Sequence, residues 1–242
     1  ENETAIIAIS GVSGGGATEN GSQSVTLTIT ENESAPTVTL ASSASSIAEN
    51  AGSSLILSAT LTGKVDEDIT VSISTSGTGT EGTDYSTITD ITISAGDISG
   101  TTSFTPTDDS IFEGNETGIV AVSGVSGGGA TENGSQSVTL TITENESAPT
   151  VSLTSSAASI GENSGTSLTL TATLSGTTDE NVTVSISTSG TGTEGTDYTT
   201  ISDITISAGD TTGTASFTPT DDSIYEGDET GIVAISGVSG GG

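Results

Sequence analysis

Ser24-Val25-Thr26-Leu27-Thr28-Ile29-Thr30 and Ile69-Thr70-Val71-Ser72-Ile73-Ser74 alternate apolar and hydroxyl residues without a break. Successive side chains of a strand point to opposite faces, so a period of two gives one apolar and one polar face, as in a strand buried on one side. Helical periodicity occurs nowhere in the chain. Composition alone leaves folding open: Leu, Ile, Val and Phe supply 50 of 242 residues and the net charge is −31, at the border with disordered chains. The alternation decides for a folded all-β protein, because a disordered chain has no reason to keep that period.

Outward from these strands the chain repeats itself every 113 residues. Pro36-Thr37-Val38-Thr39-Leu40 returns as Pro149-Thr150-Val151-Ser152-Leu153, and Gly82-Thr83-Asp84-Tyr85 returns as Gly195-Thr196-Asp197-Tyr198. Asp108-Asp109-Ser110-Ile111-Phe112-Glu113-Gly114-Asn115-Glu116-Thr117 returns as Asp221-Asp222-Ser223-Ile224-Tyr225-Glu226-Gly227-Asp228-Glu229-Thr230. A period this long is a whole domain, so the chain is a tandem array. Residues 1–35 read as the C-terminal part of a preceding repeat, 36–148 as a complete repeat and 149–242 as a repeat lacking its last strand. The simplest expectation is a window on a longer array. The competing one is strand exchange between copies, in which Gln23 to Thr30 supplies the missing partner strand. Within 36–148, strands are expected near 37–41, 54–62, 69–75, 87–94, 101–105, 118–123 and 136–143, with 124–134 a long glycine-rich loop. Short alternating strands at this spacing make a β-sandwich. The link around Glu144-Asn145-Glu146-Ser147-Ala148-Pro149 is short and closed by a proline, which should hold neighbouring modules end to end.

Charge narrows the chemistry. Lys64 is the sole basic residue against 32 carboxylates, and His and Cys are absent. Two carboxylates about 4 Å apart repel by roughly 4 kcal/mol at an effective dielectric near 20. The clusters must therefore be screened by sodium or bound by divalent cations. Nucleic acid and anionic membrane both require basic surface and are excluded as electrostatic partners. No run of apolar residues is long enough for a membrane-spanning helix. Calcium takes six to eight hard oxygen ligands in irregular geometry, whereas zinc or copper would want the missing His and Cys. The bland alternative is that the acids only solvate loops; Asp66, Glu67 and Asp68 suit that description.

The run Ser46-Ile47-Ala48-Glu49-Asn50, Gly82-Thr83-Asp84-Tyr85, Ala95-Gly96-Asp97 and Asp108 to Thr117 resembles a Calx-β domain, and the same motifs recur in order in the second copy. The resemblance implies tandem immunoglobulin-like (Calx-β) antiparallel β-sandwiches, which occur in sodium/calcium exchangers, integrin β4 and bacterial adhesins. It also implies Ca2+ at one end of each sandwich. Matched residue by residue, the implied ligands are Glu49, Asp108, Asp109, Glu113, Glu116, Glu144 and Glu146. In the second copy they are Glu162, Asp221, Asp222, Glu226 and Glu229. Asp84 and Tyr85 read instead as a structural turn and a core contact. Family members with strong sites often carry an Asp nine residues before that Tyr; Ser76 and Ser189 stand there, which implies fewer ions or weaker binding.

Three function classes are weighed. A structural spacer of a long, calcium-stiffened, secreted or surface-bound bacterial adhesin, filament or matrix protein fits near-identical repeats. Its partners would be neighbouring repeats and other copies in a fibre. A carbohydrate- or protein-binding module would want exposed aromatics, yet the chain has no Trp, three Tyr and three Phe; a calcium sensor would need a second, calcium-dependent partner. Catalysis is disfavoured, because no His, Cys or cationic group accompanies the carboxylates to stabilise developing charge.

Overall fold

Alternation becomes layered sheets in the computed structural model, which describes residues 2–241. The chain opens with β1 (Glu3–Ala8) and β2 (Ser24–Ile29), an antiparallel hairpin. The first full module comprises β3 (Thr37–Ser42), β4 (Ser46–Ala48), β5 (Leu55–Leu61), β6 (Ile69–Gly77), β7 (Ile91–Ile93), β8 (Ser99–Phe104), β9 (Ile111–Phe112), β10 (Glu116–Ser126), β11 (Thr131–Glu132) and β12 (Ser137–Thr143). The second comprises β13 (Val151–Ser155), β14 (Leu168–Leu174), β15 (Thr177–Thr178), β16 (Val182–Gly190), β17 (Ile204–Ile206), β18 (Thr212–Phe217) and β19 (Gly231–Gly240), with one 3-10 turn over Glu162–Ser164.

In the first module the order β4-β12-β10-β6-β7 makes one sheet and β11-β3-β5-β8 the other. Neighbours are antiparallel except at β4/β12 and β11/β3, which run parallel. Ile69 and Val71 of the quoted run, with Val38, Leu57, Phe104, Val120 and Leu140 of the other strands, are fully buried between the sheets. Tyr85 stacks on Phe104 with ring centroids 4.6 Å apart, and Tyr198 on Phe217 at 4.7 Å. The second module keeps three strands of each sheet, β13-β14-β18 and β17-β16-β19, around its own core, with no counterparts of β4, β11 and β12 among the described residues. The chain is thus all-β, as its alternation required.

Two local expectations need correction. The segment 124–134 is not one open loop: β10 continues to Ser126, and β11 lies parallel to β3. Thr131 N–H donates to Pro36 O (3.1 Å) and Asn133 N–H to Val38 O (3.0 Å), so the backbone groups find partners across the sandwich edge. The strand expected over 87–94 shrinks to β7, because carboxylates replace the ladder before it. Glu81 accepts from Ile88 N–H (2.9 Å) and Asp90 from Ile73 N–H (2.9 Å). Strand period is legible in sequence, whereas a side chain capturing a ladder donor is not.

The β1/β2 hairpin repeats the register of β10 and β12, with Glu3 opposite Ile29 where Glu116 stands opposite Ile142. The buried face expected of Ser24–Thr30 is not found: every residue of β1 and β2 is exposed, Ile6, Ile7, Val25 and Ile29 about three-fifths so, because no second sheet packs on this hairpin among the described residues. The two modules meet at a parallel pair, β9 with β15, in which Ile111 stands opposite Thr177 and Phe112 opposite Thr178. Phe112 borders a small cavity with Ala148 of the link and with Pro149, Leu174, Thr178 and Val182 of the following module.

Candidate metal centre at the module end

The site grows from the loop that β9 interrupts. Asp109 turns the chain by accepting Ile111 N–H through its own carboxylate (2.7 Å), and its N–H donates to Glu49 Oε1 (3.1 Å). Glu49 follows directly on β4, whose pairing with β12 fixes it beside the link, and it is only 5% exposed. From the link, Glu144 Oε2 accepts the N–H groups of Glu113 (2.7 Å) and Gly114 (3.0 Å). Its other oxygen accepts from Asn145 (2.8 Å) and Glu146 (2.9 Å). Strand end, acidic loop and link thereby close on one another.

Carboxylate oxygens lie within 4.8 Å of one another in three overlapping groups: Glu49–Glu144–Glu146, Glu49–Asp109–Glu113 and Asp84–Glu113–Glu116. The second module repeats two of them, Glu162–Asp222–Glu226 and Asp197–Glu226–Glu229, with Glu162 on the 3-10 turn and its Oε1 accepting Asp222 N–H at 3.0 Å. Of the residues expected from sequence, the structure brings together Glu49, Asp109, Glu113, Glu116, Glu144, Glu146, Glu162, Asp222, Glu226 and Glu229. Asp108 and Asp221 stand outside these groups, although the Asp108 charge reaches Glu146.

Asp84, read from the sequence as a turn residue, enters the groups, as does its repeat equivalent Asp197. Asp84 does both jobs: its carboxylate accepts Thr80 N–H, which closes the turn, and still approaches Glu113 and Glu116. A signal was present, since Tyr85 is fixed in the core and its preceding residue cannot float free in solvent. Asp179, from the module that follows, was also missed. Its charge acts on Glu113 and Glu116 across the joint.

Crowded acids hold protons. Burial, then the charges of Glu144, Glu146 and Asp109, push Glu49 up to about 7, against the help of the Asp109 N–H. Burial followed by Asp84, Glu116, Asp109 and Asp179 raises Glu113 to about 8. Burial and Asp84 raise Glu116 to about 7. Glu144 differs: burial raises it, but the N–H groups of Glu113, Glu146 and Asn145 outweigh burial and hold it below the ordinary range. In the second module Glu226 and Glu229 are exposed, and desolvation by their neighbours followed by the charge of Asp197 raises both.

These shifts give a pH prediction for the cation-free protein. Unfolded, the three raised glutamates release their protons near 4.5; folded, they keep them to about 7 or 8. Between those values the folded chain binds more protons than the unfolded one, so stability falls as pH rises through the window. Calorimetry in EDTA should show the melting temperature dropping between about pH 5 and about pH 8. A flat or rising curve would contradict the crowding.

The donor set fits a hard divalent cation. Every candidate ligand is a carboxylate oxygen, the chain has no His or Cys, and Glu146 Oε2 is buried without a hydrogen-bond partner among the described residues. No helix among the described residues is long and apolar enough to cross a membrane.

Comparison with known proteins places the chain in a family. No curated protein sequence matches the chain. Among solved structures, the CBD12 tandem of CALX1.2 is 20% identical over 74% of this chain and 73% of its own, with a TM-score of 0.38. The apo form of the Calx CBD1 domain is 18% identical over 45% of this chain and 98% of its own, with a TM-score of 0.39. Invasin, a bacterial integrin-binding protein, is 19% identical over 85% of this chain and 39% of its own, with a TM-score of 0.29. The Calx-beta domain profile matches residues 31–146 and again 144–241, spanning both acidic ends, and the chain therefore belongs to the Calx-beta domain family.

Proposed function

We propose that these modules are structural spacers of a long secreted or surface-bound bacterial adhesin, filament or matrix protein, stiffened by calcium at each module end. The carrying observation is the union of link and acidic loop. Glu144 belongs to the link, yet it clamps the N–H groups of Glu113 and Gly114 and lies in one group with Glu49. A cation drawn to those oxygens would tie the strand end, the loop and the link into one unit. Glu49, Asp84, Asp109, Glu113, Glu116, Glu144 and Glu146 would hold it in the first module; Glu162, Asp197, Asp222, Glu226 and Glu229 would do so in the second. When bound, the ion supplies the positive charge that a chain with one lysine cannot.

Near-identical repeats suit a spacer because each copy does the same mechanical task. The joint is the place to test it. Replacing Glu144 and Glu146 together by Gln leaves both sandwich cores untouched and removes the link's charge from the site. Small-angle scattering in saturating calcium should then show a broader spread of inter-module angles and a lower mean maximum dimension than the parent. Identical curves for parent and variant would contradict the role given to the link.

A further inference from the structure

The parallel pair of β9 with β15 carries the second module past the acidic loop of the first. Ile111 stands opposite Thr177 and Phe112 opposite Thr178, so the next residue on each chain segment, Glu113 on one and Asp179 on the other, leaves the joint beside its neighbour. Paired strands lie about 4.8 Å apart, which sets the scale of that approach. The backbone around Asp179 is pinned. Thr178 is only 1% exposed, its hydroxyl donates to Glu180 O (2.8 Å), and its carbonyl accepts Gly209 N–H (2.8 Å). Thr177 donates its hydroxyl to Ser110 O (3.4 Å), beside Asp109. The side chain of Asp179 itself is exposed.

Four carboxylates of the first module share an electrostatic field with it. The charge of Asp179 acts on Glu113 and Glu116, and those of Asp84 and Glu144 act on Asp179. No basic side chain offsets them, because the one lysine of the chain is Lys64, at the place of Thr177 one repeat earlier. A joint that sets an acid of one module against four of the other opposes its own packing unless a cation lies between them. Asp179 stands outside the groups that converge within 4.8 Å, as like charges do while nothing neutralises them. A second observation points to an ion rather than to solvation. Glu146 Oε2, which the link brings to the same end, is buried with no hydrogen-bond partner among the described residues.

We infer that Asp179 is a ligand of the first module's cation site supplied by the second module, so that the ion is held from both sides of the joint. The inference rests on the calcium reading above and adds a residue beyond the link to it. Glu144 and Glu146 tie an ion to the chain that leaves the first sandwich, whereas Asp179 ties it to the next sandwich itself. Cation binding and docking of the two modules are then linked, and each strengthens the other.

Calcium titration and melting curves on the full chain test this with Asp179→Asn, beside Glu180→Gln as a control that removes the same charge one position away. Asp179→Asn should weaken calcium at the first module's site about tenfold and leave the second module's heat unchanged, whereas Glu180→Gln should shift the affinity by no more than about twofold. The melting curves should also cross over. In EDTA at alkaline pH, where the neighbouring acids are ionised, Asp179→Asn should melt above the parent because a like charge is gone; in saturating calcium that advantage should vanish or reverse. A turn residue with no role at the ion would change stability alike in both. Calcium binding by Asp179→Asn equal to the parent's, an equal effect of Glu180→Gln, or the same stability change in EDTA and in calcium overturns the inference. Glu113→Gln separates it from the reading beneath it. If that variant loses the first module's heat while Asp179→Asn keeps it, only the ligand across the joint falls; if both keep it, the cation site itself falls.

Discussion

Calcium added to the EDTA-treated protein is expected to raise its melting temperature by on the order of 10 °C. Binding to the folded state alone contributes RT ln(1 + [L]/Kd), about 2.7 kcal/mol at one hundred times Kd, and a module of this size gains roughly 4 °C per kcal/mol. Calcium must displace the protons that Glu49, Glu113 and Glu116 keep to about 7 or 8, so the effect should grow as pH rises through that range. Magnesium should do much less, since it demands a tight octahedron and gives up its water reluctantly. Scanning calorimetry with either ion, against EDTA, checks both statements. An unchanged melting temperature in calcium contradicts the account.

Gly77→Ala should cost about 3 kcal/mol and weaken cation binding at the same time. Gly77 ends β6 at φ +127°, a conformation that L side chains rarely adopt, and an added Cβ would lie 2.0 Å from Thr117 O. The backbone must move there, and Thr117 adjoins Glu116. The neighbouring Gly79 already approaches Glu116 Oε2, 3.3 Å from where its own Cβ would stand. One methyl group therefore disturbs the strand end and a candidate ligand together. Urea unfolding measures the first effect and calcium titration the second. A variant as stable as the parent would mean that the strand end yields more freely than its packing suggests.

Much of the fold was legible because a strand's period is written in adjacent residues. β3, β5, β6, β10 and β12 all begin within two residues of their expected places. The misses have local causes. β4, β9 and β11 are two or three residues long, too short for any period to show, and their pairing comes from the sandwich edge or from the next module. Acidic residues adjacent in sequence announced the site, but which of them converge depends on the path of the chain. Asp109 turns inward toward Glu49, Asp108 does not, and Asp84 arrives from a turn between β6 and β7. Asp179 was invisible for another reason, since its role depends on how two modules meet.

The central claim is that the converging carboxylates at a module end form a cation site. Isothermal titration of calcium into EDTA-stripped protein, beside a variant carrying Glu49→Gln and Glu113→Gln, tests it most directly. The account predicts binding at about 0.1 to 1 mM in the parent, the range of extracellular modules. It also predicts, in the variant, loss of the heat belonging to the first module while the second module's heat remains. Equal binding in parent and variant, or no heat in either, would contradict it.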